Sequence, residues 1–70
     1  MTRKLETKGW IEIACEVRHI TDRVVLIHDG AHEAWIPRSQ IEDPDPADME
    51  IGQHIELLIP EWLATEKGLV

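Results

Sequence analysis

The chain has 70 residues and a single cysteine, and its 14 acidic side chains against seven Lys and Arg give a net charge of −7. That length allows one small domain, which buries only about 60% of the surface its unfolded chain exposes, while one unpaired thiol excludes an internal disulfide and points to a reducing, cytoplasmic setting. No apolar run approaches the roughly 18 residues of a membrane span, and the charge disfavours general affinity for nucleic-acid backbones, which rests on Lys and Arg displacing counterions.

Taken in chain order, Arg3, Lys4 and Lys8 crowd the start, and residues 1–8 read as a frayed basic arm. From Trp10 onward, Ile11, Ile13, Cys15 and Val17 alternate with Glu12, Glu16 and Arg18, the period of a half-buried strand. Thr21-Asp22-Arg23 turns the chain into the β-branched run Val24-Val25-Leu26-Ile27. Asp29-Gly30 then signals a hairpin, because Gly30 accepts positive φ without steric cost, and residues 32–36 return as a third strand. Glu42, Asp43, Asp45, Asp48 and Glu50 fall within EDPDPADME. There Pro44 and Pro46 remove backbone donors and push the residues before them toward extended geometry, so residues 42–52 read as an acidic loop holding at most a short turn over 47–50. Ile55, Leu57 and Ile59 alternate with His54, Glu56 and Leu58 as a fourth strand.

The end of the chain changes period, and residues 60–68 read as a helix. Pro60 suits its first position, Glu61 and Lys67 complement the two ends of the dipole, and Gly68 is placed for a left-handed cap with Leu69 folding back. Trp62, Leu63 and Leu69 give it an apolar side. A helix this short persists only when docked. The expected fold is therefore mainly β: a small, partly open antiparallel barrel of about four strands with a short C-terminal helix, a shape that limits exposed edges.

Within AWIPRSQIE, the residues Ile36, Pro37 and Ser39-Gln40-Ile41 resemble the strand end and 3₁₀ turn that close the barrel of SH3 domains. The resemblance implies an SH3-like barrel corner. It does not extend to proline-peptide recognition, since the chain has no Tyr and none of the SH3 peptide groove. The same segment and IPEWLATEKGL also resemble short proteins of bacteria and their prophages, a likeness that implies a source and no activity.

Strand alternation places Ile36 inward and Trp35 outward. Trp35 then either covers the outer face of the sheet, against Trp10 or Trp62, or anchors a binding face with Arg38, to which Ser39 and Gln40 add hydrogen bonds; Trp and Arg are enriched at interface hot spots. His28 and His32 flank the Asp-Gly turn, yet with Asp29 or Glu33 they lack a third convergent ligand, and no metal or cofactor is expected. Cys15 is expected to face the core, where a thiol is inert. The loop carboxylates lack the buried pairing that tunes acid and base catalysts, so the chain reads as a non-enzyme. The leading expectation is an interaction module that binds a larger protein or itself through Trp35, Arg38, Ser39 and Gln40. The alternatives are an acidic mimic or inhibitor acting through Glu42, Asp43, Asp45, Asp48 and Glu50, and single-strand nucleic-acid binding by Trp stacking beside Arg18, Arg23 and Arg38.

Overall fold

The computed structural model describes residues 3–7 and 9–70, residues 3–7 by the course of their backbone alone. Over these residues the fold is mainly β: one open antiparallel sheet followed by a short C-terminal helix. The strands are β1 (Arg3–Thr7), β2 (Trp10–Ile20), β3 (Val24–His28), β4 (Glu33–Pro37) and β5 (His54–Pro60), and the helix is α1 (Glu61–Glu66).

The spine is β2, eleven residues long. It pairs with β5 from Trp10↔Pro60 to Glu16↔His54, and with β3 from Glu16↔His28 to Ile20↔Val25. Glu16 thus has a strand on each side. β3 pairs in turn with β4, from His28↔Glu33 to Val24↔Pro37. The chain then makes a 3₁₀ turn at Arg38–Gln40 and reaches the outer edge of β5, where the Glu42 amide donates to the Leu58 carbonyl and the Leu58 amide to the Asp43 carbonyl.

The four strands expected from alternation are present, and the basic arm is corrected. Arg3–Thr7 is a strand paired with β2, with Thr7 opposite Trp10. The missed signal is Gly9, whose φ of 84° supplies the left-handed residue that a tight hairpin needs. Met1, Thr2 and Lys8 lie outside the described residues.

The core is built from the inward alternation: Ile11, Ile13 and Val17 from β2, Val25 and Ile27 from β3, Ile36 from β4, and Leu57 and Ile59 from β5, all buried. Ile41 and Met49 are also buried, so the connection from β4 to β5 supplies apolar side chains to the interior. Within it, Pro46–Asp48 is a 3₁₀ turn capped by Asp45, whose Oδ1 accepts from the Ala47 amide at 3.0 Å.

α1 ends as its sequence dictates. The Gly68 amide donates to the Thr65 carbonyl at 3.1 Å and the Leu69 amide to the Ala64 carbonyl at 2.9 Å, with Gly68 at φ 75°. This paired arrangement is a Schellman cap, and it turns Leu69 back into the core. Two expectations are corrected. Pro60 sits just outside the helix, as its extended N-cap, and Trp62 does not dock: it is 59% exposed, and Leu63, Ala64 and Leu69 form the buried side. At about 100° per helical residue, a buried side centred between Leu63 and Ala64 leaves Trp62 about 150° away from it, toward solvent.

Candidate functional site

The AWIPRSQIE corner separates inward and outward residues as strand alternation requires. Ile36 and Ile41 are buried on either side of Pro37, while Trp35 is 42% exposed. Trp35 lies opposite Leu26, which lies opposite His19, so the three make one row across the outer face of β2, β3 and β4. Among the described residues, no ring contact joins Trp35 to Trp10 or Trp62. The aromatic neighbour of Trp35 is His19, at 6.1 Å between ring centroids and 88° between planes, the edge-to-face geometry that suits a ring quadrupole.

His19 reaches that face because β2 is irregular. The register with β3 shifts between Val17 and His19, leaving Arg18 as an extra residue, so inward positions run Ile11, Ile13, Cys15, Val17 and then Ile20. The sequence carried this signal as a broken period: strict alternation would bury His19 and expose Ile20. A one-residue bulge resolves the conflict.

The other members of the expected site divide. Ser39 is exposed and Gln40 half-buried. Arg38 is half-buried, and its Nη1 donates to the Thr21 carbonyl at 2.8 Å while its amide donates to the Arg23 carbonyl at 2.9 Å. Arg38 is therefore a brace between the 3₁₀ turn and the β2–β3 turn, not the outlying side chain expected. Thr21 is a firm anchor for it, since Thr21 Oγ1 accepts from both the Arg23 and Val24 amides.

Of the remaining arginines, Arg18 lies 3.3 Å from Glu16 Oε1 and 4.0 Å from Glu33 Oε2, and Arg23 is exposed in the β2–β3 turn. The acidic residues Glu42, Asp43, Asp45, Asp48 and Glu50 are all exposed, and their segment begins on the far side of β5 from β2, β3 and β4.

The Asp-Gly hairpin is held by its own side chains. Asp29 Oδ1 accepts from the Ala31 amide at 2.9 Å and the His32 amide at 2.7 Å, and His28 Nδ1 accepts from the Gly30 amide at 3.1 Å. Burial pushes the Asp29 carboxyl up, but the Ala31 and His32 amides, with the His32 and His28 charges, outweigh it and hold the group below its ordinary value. Beside this hairpin is a shallow, open cleft whose walls include Glu16, His28, Asp29, His54 and Glu56. Glu16 stands in register between His28 and His54. Among the described residues no three His, Cys, Asp or Glu side chains converge at metal-binding geometry. Cys15 points the opposite way from Glu16 and is buried, and burial, reinforced by the Asp29 charge, pushes its thiol up to about 12.

No family model matches the chain, and no solved structure matches it. Over 45 residues, 64% of its length, the chain is 42% identical to the xylose import ATP-binding proteins XylG of Brucella abortus (strain 2308), Brucella suis and Brucella melitensis, and it spans 9% of those proteins.

Proposed function

We propose that the chain is a non-enzymatic protein-interaction module of the SH3-like kind, working in the cytoplasm, that docks on a larger protein or on itself through the face carrying Trp35. The observation that supports this most directly is Trp35 itself, 42% exposed at the β4 end of the row His19–Leu26–Trp35. A large ring held on a strand, with its orientation set by His19, loses little freedom on binding, and such rings are where interface energy concentrates. Ser39 and Gln40 lie in the 3₁₀ turn that follows the strand, and Arg38 holds that turn against the β2–β3 turn. The barrel reading rests on the meander β2–β3–β4, the 3₁₀ turn at Arg38–Gln40 and the return of β5 onto β2, the arrangement that the SH3-like corner implied. The likeness to bacterial and prophage proteins belongs to the same reading.

A second reading has its own support: the five loop carboxylates are all exposed, as an acidic mimic of a nucleic acid needs. Single-strand nucleic-acid binding is less well supported, because Arg38 and Arg18 already contact Thr21, Glu16 and Glu33. The test compares Trp35→Ala with a variant in which Asp43, Asp45 and Asp48 become Asn, in affinity capture of partners from the native cell. Loss of the complex in Trp35→Ala alone supports the interaction module. Loss in the Asn variant alone moves the function to the loop.

A further inference from the structure

The hydrogen-bond parity of β4 identifies which of its backbone groups are left over. The Arg38 amide donates to the Arg23 carbonyl and the Asp29 amide to the His32 carbonyl, so Arg23/Arg38 and Asp29/His32 are bonded pairs of the β3–β4 ladder. Bonded and non-bonded pairs alternate in an antiparallel ladder. Ile36 and Ala34 therefore bond toward β3, while Glu33, Trp35 and Pro37 turn their backbone groups away from it. β4 has no strand on that side, and among the described residues no hydrogen bond is made to the outward amides of Glu33 and Trp35.

We propose that a second copy of this chain pairs antiparallel along the free edge of β4, about a two-fold axis at Trp35. This deepens the interaction reading above and rests on it for the choice of face. Three features fit self-pairing. An axis at Trp35 sets its amide and carbonyl against those of the other copy, and sets the Glu33 amide against the carbonyl of the other Pro37, so that every outward N–H of the strand meets an acceptor although Pro37 has no donor to give. The two Trp35 rings become direct cross-strand neighbours on one face, a pairing that stabilises sheets.

Charge is the third. At the Glu33 end of the strand Glu16, Asp29 and Glu33 outnumber Arg18, and at the Pro37 end Arg23 and Arg38 outnumber Asp22. An antiparallel two-fold brings each end against its opposite, whereas a parallel arrangement would set like against like. The acidic segment meets β5 on the side away from β2, where Asp43 bridges to Leu58.

A single five-residue edge is a small interface, so association is weak, with Kd on the order of 0.1–1 mM. Sedimentation velocity across that range should show the mass rising from the 8.1 kDa monomer toward the dimer, and hydrogen exchange should slow with concentration at the Glu33 and Trp35 amides but not at Ala34 or Ile36. Trp35→Pro deletes an outward donor without touching the β3–β4 ladder and should abolish the dimer. As a second variant set that does not alter the backbone, Glu33→Lys and Arg23→Glu should each weaken self-association roughly two- to tenfold, and an equimolar mixture of the two should recover it.

A mass that stays monomeric throughout, exchange that slows elsewhere, or charge variants that do not recover on mixing would overturn the pairing. If the chain is monomeric while Trp35→Ala still loses a captured partner, self-pairing alone fails. If the dimer forms as described while Trp35→Ala keeps every captured partner, the docking of a larger protein fails.

Discussion

Arg38 Nη1 lies 2.8 Å from the carbonyl oxygen of Thr21, seventeen residues earlier in the chain. The bond ties the turn after β4 to the turn before β3, and it divides the corner into side chains that hold the fold and side chains that face outward. Ile36→Ala should cost about 2–5 kcal/mol through lost transfer energy and a cavity. Arg38→Ala should cost about 1–2 kcal/mol, since a partly buried carbonyl loses a charged donor. Trp35→Ala should cost less than about 1 kcal/mol, the edge-to-face contact with His19 being its main loss. Chemical denaturation of the three variants checks the order; a Trp35 variant as unstable as Ile36→Ala would place the ring in the core.

The helix supplies the second prediction. Removing residues 61–70 takes Leu63, Ala64 and Leu69 out of the core, and the shortened chain should lose its cooperative thermal transition. Gly68→Ala is a finer probe, because a methyl group there meets nothing within 4 Å and the cost comes from φ 75° alone, about 1–2 kcal/mol. Trp62→Ala, at an exposed site, should melt within about 0.5 kcal/mol of the native chain. A Trp62 variant that melts far lower would show the ring to be part of the docked surface.

Cys15 gives a kinetic readout of folding. Because burial raises the thiol to about 12, the native protein should react with a thiol-specific reagent at pH 8 far more slowly than a denatured sample. The folded thiol also keeps its proton over the interval in which the unfolded one, with an ordinary value of 9.0, loses it. That stabilisation is complete below pH 9 and fades between 9 and about 12. Cys15→Ala should remove this part of the alkaline loss, as a series of melts across that range would show.

Asp29 acts at the other end of the scale. Its carboxyl is held below the ordinary value of 3.8, so it stays ionised in the folded chain where the unfolded chain has begun to take up a proton. The stabilisation is complete above about pH 4 and disappears as the pH falls through the lowered folded value. Melts between pH 2 and 6 should show a shallower acid loss in Asp29→Asn than in the native chain, and an unchanged acid limb would mean that the Ala31 and His32 amides do not depend on the charge.

Periodicity alone determined four of the strands, the inward set Ile11, Ile13, Cys15 and Val17, the buried Ile36 beside an exposed Trp35, and the capped end of the helix at Gly68. These are local properties: side chains alternate on a strand every two residues, and a left-handed cap needs a glycine wherever it occurs. Other features were decided by contacts between residues far apart in sequence. Arg38 looked like a free cation until the β2–β3 turn brought the Thr21 carbonyl to it. Trp62 looked like the docking residue of the helix, yet Leu63, Ala64 and Leu69 are the residues that the packing buries. Residues Arg3–Thr7 read as a basic arm by composition, and pairing with β2 across the Gly9 turn makes them a strand. His19 joined Trp35 through a bulge that β3 enforces, since keeping both Val17 and Ile20 on the core side leaves Arg18 without a partner position.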